Sequence, residues 1–503
     1  MKRILALTLC LTLIATLAAI TPAFAENANG SYPVIRLMQH RFTPEQCSAE
    51  AEIEEALNKI FREKCGCEVD IIFLSFGDVP DKLNLLLTGG KDSLDIFSSL
   101  TFSNTADMAA AGQVLDITPY MENELKETYE MYSKYPGVLD CTTVDGKIYG
   151  IPSMTAWSSP NIYAVKKSYA DDAGVDMSKV TSMDELTTAL IAMKEAHPEA
   201  YFIPASGAHQ YFWPKGMDYL GDDSYLGVIL NPDKNTKIEN YYESELFLNH
   251  LANVKVWQEH EILLPDAASN GLDAAAFLGV QNGYTVGSTG YAQDLDEWLY
   301  ETNYNHTYGD EEMVGCYLNE RYLATGNVTT YQWHVTPFGE HPELACKVLN
   351  ELFTNKEAAM LLVNGIEGEH YVINDKGQLE YPEGVNSDTS TWYSGFGGAY
   401  EPNSLFLPAW YYQLPNLSEI YEQSNKEAIP SLALGFVANT ENIADQIGAC
   451  NNVIAQYYLP LINGDVNIDE VLPVFQQALR DAGIDDIIAE KQAQLDAWLA
   501  NKK

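Results

Sequence analysis

The 503-residue chain carries 29 basic and 71 acidic side chains, a formal net charge of −42, with 46% hydrophobic residues. Acidity on this scale argues against nucleic acid and anionic membrane surfaces as partners, and the hydrophobic fraction argues against a disordered chain. The length suits two or three domains.

Residues 1–25 read as an export signal. Lys2 and Arg3 form its charged start, and Ile4 to Ile20 is an apolar run broken only by threonines and Cys10. Pro22-Ala23-Phe24-Ala25 then ends in the small-x-small pattern that signal peptidase cuts. Cleavage there leaves 478 residues from Glu26 and takes the net charge to −44. Leu7-Thr8-Leu9-Cys10 has the outline of a lipoprotein box, but Leu9 is too large to precede a lipidated cysteine. No later stretch offers about 20 apolar residues, so no transmembrane segment is expected in the mature chain. Seven cysteines remain, an odd number that argues against a complete disulfide framework, and Cys65-Gly66-Cys67 is too tight for a zinc knuckle. An exported chain with so few disulfide signals points to a Gram-positive source.

From Val34 strands and helices alternate. Val34–Met38, Val69–Leu74 and Leu94–Phe97 read as strands, with helical spacing over 49–64 and 78–88 between them. Strands separated by helix-length segments predict a parallel sheet covered on both faces. Asp145-Gly146-Lys147 predicts a hairpin turn. Ser182-Met183-Asp184-Glu185 is a capping box that opens a second α/β region, and 244–260 is a further helix. Pro342 opens another, and Thr354-Asn355-Lys356-Glu357 reads as a capping box for its antiparallel partner. Residues 365–415 are loop-rich and aromatic. The tail is helical at 440–462, 470–482 and 485–500, with Gly483 at a C′ position and Cys346 and Cys450 on apolar helix faces.

No nucleophile elbow, zinc-protease, phosphate-loop or dinucleotide motif occurs. The histidines are scattered, so neither metal nor cofactor is expected. Asp222-Asp223 and Asn231–Asn235 lack the glycine and terminal glutamate of a calcium loop. Glu367 and Glu369, in Gly365-Ile366-Glu367-Gly368-Glu369-His370-Tyr371, are the best acid–base candidates. Two residues apart on an extended segment they sit near the lower end of the roughly 5–10 Å that glycosidases use. A glycine-flanked turn, or ligand hydrogen bonding, explains them more simply.

Aromatic residues crowd the irregular stretches: Tyr211-Phe212-Trp213-Pro214, Gly290-Tyr291, Tyr331-Gln332-Trp333, Trp392-Tyr393-Ser394-Gly395 and Pro408-Ala409-Trp410-Tyr411-Tyr412. A ring on a loop presents a flat apolar face with a polar edge, a surface suited to stacking on sugar.

The strand ending in Met38-Gln39-His40, the strand Leu94–Phe97, the hairpin Gly146–Pro152 and the Ser182-capped helix resemble extracellular solute-binding proteins of family 1, the sugar-binding class of ABC importers. Leu349–Ala358, Asn364–Tyr371 and the ending Gln492–Trp498 resemble the LipO-like branch, which carries an extra C-terminal region. The apparent signal-peptidase site in place of a lipidated cysteine departs from that pattern. The resemblance implies an α/β, two-lobed periplasmic-binding-protein type II-like fold with hinge crossovers, a helical C-terminal tail and ligand in the interlobe cleft. Carried over, the N-terminal lobe comprises 32–160 plus 313–365 and the C-terminal lobe 161–312 plus 366–503. The cleft is then expected to use Tyr211 and Trp213 from the aromatic loop and Tyr291 after a small-residue loop. Trp157 and Trp333 would join from the crossovers, His40 from the end of the first strand, Thr101 with the rest of Ser98–Phe102 from after the third strand, and Trp392, Trp410, Asp294, Glu367 and Glu369 from around the cleft. The implied partners are an oligosaccharide and ABC permease subunits, with the protein exported and extracellular or surface-associated. Rival readings are a receptor for a peptide or another small polar solute, an extracellular glycoside hydrolase, and a surface interaction protein.

Overall fold

Two α/β units are joined by three crossover segments. The computed structural model describes residues 31–502 apart from 42–46, 76, 91–92, 101–103, 205–216, 221–224, 266–279, 281 and 393–400. The export signal, Thr101, Tyr211 and Trp213 therefore lie outside the described residues.

The first unit begins with β1 (Val34–Arg41), α1 (Glu50–Lys64), β2 (Glu68–Ser75) and β3 (Ile96–Leu100). Both β2 and β3 pair in parallel with β1, as the alternating pattern predicts. Ile53, Leu57 and Phe61 of α1 fall on one helical face and are buried against the sheet. Asp145 (φ 51°) and Gly146 (φ 76°) make the left-handed turn of the predicted hairpin, which leads into β4 (Ile151–Pro152). Gly150 has its own reason: a Cβ there would lie 2.7 Å from the His334 ring.

After the first crossover, β5 (Asn161–Lys166) starts the second unit, followed by α2 (Met183–Ala196) and α3 (Glu245–Glu259). Ser182 Oγ accepts from Glu185 N at 3.2 Å, while the Glu185 carboxylate turns back to accept from Thr181 N at 2.8 Å. Trp257 on α3 is fully buried and donates through Nε1 to Thr187 Oγ1 on α2 at 2.8 Å. Then come β6 (Gly287–Tyr291), α4 (Leu295–Tyr304) and β7 (Met313–Tyr317); β5 is flanked by β6 and β7, both antiparallel to it.

The second crossover carries β8 (Tyr322–Leu323) and returns to the first sheet as β9 (Tyr331–Val335), giving the order β2-β1-β3-β9-β4. The helical pair α5 (Pro342–Thr354) and α6 (Lys356–Asn364) packs on the first unit. The cap of α6 is Asn355, which accepts from Glu357 N and Ala358 N; Thr354 bonds back to Asn350 O instead. A hairpin of β10 (Val372–Ile373) and β11 (Leu379–Glu380) lies on α6 through Tyr371 and Leu379. The third crossover runs from Glu401 through α7 (Leu417–Glu427) to β12 (Ile429–Pro430), which pairs with β8. Finally α8 (Ala444–Ile462), α9 (Ile468–Asp481) and α10 (Ile484–Asn501) pack on the second unit through Cys450, Tyr458, Leu461, Phe475 and Ile487, and Gly483 is left-handed at φ 99°. Among the described residues, no helix is long and apolar enough to cross a membrane.

Two segments sit differently from the sequence boundaries. Residues 313–317, grouped there with the first lobe, hydrogen-bond to β5 in the second. Residues 371–392, grouped there with the second, pack on the first through Leu379 on α6 and Trp392 in the core beside Leu362. Five-residue strands and hairpins carry too little periodicity to declare which sheet they join.

Candidate functional site at the crossovers

In an open α/β sheet, ligands meet the carboxyl ends of the parallel strands, where loops diverge and backbone groups are free. Here that edge presents His40 and Arg41 from β1, Ser98 to Leu100 from β3, and the start of the antiparallel β9. Tyr331 pairs in register with Leu100, and its carbonyl accepts from Ser153 N at 2.8 Å, so the edge opens directly onto the first crossover. The second sheet meets the same crossover: Tyr291 pairs with Asn161, and Ala292 N donates to Pro160 O at 3.1 Å. Tyr291 is 46% exposed. The half-buried Tyr331 phenol is pushed up to about 12, chiefly by burial with a smaller contribution from the Tyr291 hydroxyl. Tyr331 opens β9 in the first sheet and Tyr291 closes β6 in the second, and both strand ends bond to the first crossover.

The strand ends of the first sheet are polar and held in place. His40 Nδ1 lies 2.7 Å from Ser98 Oγ, and burial pushes its pKa down to about 4. His334 Nδ1 donates to Tyr149 O at 2.8 Å, which leaves Nε2 to accept from Ser99 Oγ at 2.9 Å; its pKa is likewise about 4 because it is buried. Both imidazoles are therefore neutral at pH 7. Thr105 Oγ1 donates to Gln332 Oε1 at 2.7 Å and Gln332 Nε2 to Thr329 O at 3.0 Å. Behind β1, Arg41 is sandwiched between Phe73 and Trp392, donates to Leu362 O at 2.7 Å, and lies 3.7 Å from Glu401, both side chains being fully buried. Glu401 also accepts from Gln39. Burial pushes the Glu401 carboxyl up to about 7 against the opposing pull of Arg41. The group anchors the third crossover to the end of β1.

The crossovers are stitched to one another. Ser158 Oγ donates to Tyr322 O at 2.6 Å, Asn161 N to Asn319 Oδ1 at 2.8 Å, and Trp157 N to Asn425 Oδ1 at 3.0 Å. Arg321 reaches all three, donating to Ser158 O at 3.1 Å, Tyr317 OH at 3.3 Å, Gln293 O and Ser424 Oγ.

Residues 46–309, more than half of the chain, match the family model described as bacterial extracellular solute-binding protein. The chain belongs to that family. Residues 432–500 match a domain of unknown function, DUF3502. A protein of Streptococcus pneumoniae named carbohydrate ABC transporter substrate-binding protein is 26% identical over 94% of this chain and 93% of its own length. Lipoprotein LipO of Bacillus subtilis is 23% identical over 70% of each. Among solved structures, the N-glycan transport solute-binding protein NgtS of S. pneumoniae superposes with a TM-score of 0.77 at 24% identity, covering 94% of this chain and all of that one. The fold is thus the two-lobed solute-binding one that the sequence resemblance implies.

Of the residues expected in the cleft, Tyr291 stands exposed beside the first crossover, and His40 is buried at the end of β1 against Ser98. Trp157 and Trp333 do not line a cleft. They are 4% and 0% exposed, and both tie to Ser153, Trp157 Nε1 donating to its carbonyl at 2.9 Å and Trp333 Nε1 to its hydroxyl at 3.2 Å. Trp392 is 3% exposed and serves as a face for Arg41. Crossovers in this molecule are central rather than superficial, with every residue from 151 to 160 buried, so aromatic rings there become core. Trp410 rests on the β10–β11 hairpin between Tyr381 and Tyr412. Asp294 caps α4, accepting from Glu297 N at 3.0 Å, and borders a groove of about 950 Å³ along β7 with Pro160, Tyr317 and Arg321. Glu367 and Glu369 are exposed on a turn built by His370, whose Nδ1 accepts from Ile366 N at 3.0 Å and whose Nε2 lies 3.1 Å from Thr391 Oγ1. Ser98 and Ser99 belong to the stretch 98–102 expected to line the cleft, and Tyr331 and Gln332 to the aromatic stretch 331–333, whereas Thr105 was not singled out from the sequence. Tyr331 had a signal in its place at the head of a strand whose next four residues are buried.

Proposed function

We propose that this chain is an exported receptor that captures an oligosaccharide between its lobes and delivers it to an ABC importer, without chemistry on the ligand. The observation that carries it is that Tyr291 of the second sheet, 46% exposed, and Tyr331 of the first both end at the first crossover, where the strand ends of the first sheet supply neutral hydroxyl, amide and imidazole groups. Sugar rings have apolar C–H faces that stack on aromatics and hydroxyl rims that need donors and acceptors, and such a site supplies both without a net charge. The names of the S. pneumoniae relative and of NgtS, which has been solved in complex with Man1GlcNAc, support the same ligand class. The non-catalytic reading is supported by the two imidazoles, each held neutral by burial and already hydrogen-bonded, and by the exposed, structural setting of Glu367 and Glu369. The lobes follow the sheets: 32–160 with 318–392, and 161–317 with 443–502, the third crossover lying between.

The test is a panel of purified neutral oligosaccharides and short peptides, read by melting temperature and calorimetry, with the sugar analysed afterwards by chromatography. Saturable binding of a sugar that is recovered intact is expected. Binding confined to peptides, or release of monosaccharide that Glu367→Gln abolishes, would overturn the proposal.

A further inference from the structure

Where the third crossover leaves Glu401 towards α7, six tyrosine and tryptophan rings form a continuous ladder from the second lobe to the hairpin on the first. On α4, Tyr300 stacks on Tyr304 with centroids 6.1 Å apart and planes 28° from parallel. Tyr304 meets Tyr411 at 5.8 Å, and Tyr411 meets Tyr412 at 5.2 Å. Tyr412 lies nearly parallel to Trp410 at 6.2 Å and 11°, and Trp410 faces Tyr381 at 4.7 Å. Tyr300 and Tyr304 are 36% and 47% exposed, and the other four are half-buried. The ladder begins at Tyr300, about 8 Å along α4 from the end next to Tyr291, and Tyr304 closes the far end of the helix.

Packing does not account for these rings. Trp298 and Leu299 already bury one face of α4 against Ala164 and Met313, and Glu297 and Glu301 turn another towards Tyr421 of α7. Tyr300 and Tyr304 occupy the remaining face, where water would favour charged side chains. The middle of the ladder is also held rigid. Leu379 N donates to Ala409 O and Tyr411 N to Leu379 O, each at 2.8 Å, so residues 409–411 run along the hairpin as an added strand. Beneath them, Gln413 Oε1 accepts from Trp410 N at 3.0 Å, Gln378 Nε2 donates to Gln413 O at 2.8 Å, and Gln413 Nε2 donates to Glu301 at 3.3 Å. Two buried glutamines thus hold an exposed aromatic surface in one shape, and pre-organisation of this kind lowers the entropy lost on binding.

From this we infer a second carbohydrate-binding surface, in which a neutral glycan chain lies along Tyr300, Tyr304, Tyr411 and Tyr412 outside the crevice. Every ring in the ladder has a polar edge, a phenol or an indole N–H, and none is phenylalanine, which matches a ligand of alternating C–H faces and hydroxyls. The strongly acidic chain disfavours an anionic polymer there. The surface would hold polymer or surface glycan near a receptor whose crevice takes a shorter piece.

Electrophoresis of the full chain through gels containing maltodextrin, laminarin, galactomannan or arabinoxylan tests it. At least one polymer should retard the protein. Tyr304→Ala with Tyr412→Ala should cut that retardation at least tenfold while melting temperature and affinity for the crevice ligand stay unchanged, and the milder Tyr300→Ser should weaken it in part. Retardation by none of the four, retention by the double variant, or loss equally in Tyr291→Ala would each overturn the inference. So would a wild-type dimer in sedimentation that the double variant converts to monomer, since the surface would then be a protein interface.

Discussion

Replacing Trp333 with phenylalanine separates packing from ligand contact at a residue whose sequence context suggested the latter. Its indole is fully buried in β9, between β3 and β4, and its Nε1 donates to Ser153 Oγ. Phenylalanine removes that donor, worth about 1 kcal/mol, and leaves a void of a few dozen Å³, which at about 24 cal/mol per Å³ costs about 1 kcal/mol more. A loss of about 2 kcal/mol corresponds to a fall in melting temperature of roughly 4–8 °C for a lobe of this size. Alanine in its place should cost about 3–5 kcal/mol. Urea titration and calorimetry measure the loss, and ligand titration below the transition measures affinity, which should change less than about twofold on this packing reading. Unchanged stability with a tenfold weaker ligand would refute it, because the indole would then touch the ligand.

Five other substitutions probe the rest of the molecule. Tyr291→Ala should leave the melting temperature within about 1 °C, since the ring is half exposed, while weakening ligand about tenfold, the equivalent of about 1.4 kcal/mol; calorimetry with the identified sugar measures both. Arg321→Lys keeps the charge but loses the planar fork that reaches Ser158, Gln293, Tyr317 and Ser424, so stability should fall by about 2 kcal/mol and affinity with it, the Tyr291 loop being held through Gln293; unchanged ligand titration would show the loop is held elsewhere. His370→Ala should cost about 1–3 kcal/mol in urea, because Ile366 N and Thr391 lose their partner, whereas Glu367→Gln should stay within about 0.5 kcal/mol. Burial, with Glu301 beside it, raises the Glu297 carboxyl above its ordinary range. A raised folded pKa means stability that is complete below the ordinary carboxylate range and lost as pH rises through the folded value, so wild type should weaken from acidic to alkaline pH relative to Glu297→Gln; parallel pH curves for the two proteins would show Glu297 ionised throughout.

The long elements were legible because each repeats its signal. Residues 49–64 show a helical stripe of Ile53, Leu57 and Ile60, and the structure places α1 there with Ile53 and Leu57 buried. The tail helices carry theirs through Tyr458 and Phe475. The hairpin at Asp145-Gly146 was legible because only two consecutive left-handed residues make that turn. Lobe membership was less so. Met313–Tyr317 and the hairpin at 372–380 are too short for periodicity, and their partners are set by register with strands far away in the sequence. Nor could any pattern pair Arg41 with Glu401, 360 residues apart, each tolerable in the core only because of the other.

The aromatic residues show why a loop in sequence need not be a surface in structure. Trp157 and Tyr291 both flank the small polar residues of a crossover or strand end, and only Tyr291 is exposed. The difference lies in whether the neighbouring segments cover the side chain or only hold the backbone. Residues 151–160 are covered by the second and third crossovers, which bond to Ser158, Trp157, Thr155 and Met154, so every side chain there faces protein. Tyr291 ends its strand one residue before the bond from Ala292 N to Pro160 O, and although Arg321 and Ser424 hold the nearby Gln293 carbonyl, its ring stays 46% exposed. A two-lobed receptor needs both conditions. Tightly covered crossovers fix the axis about which the lobes can move, and the rings left at their margins become the ones that lobe movement brings to or withdraws from a ligand.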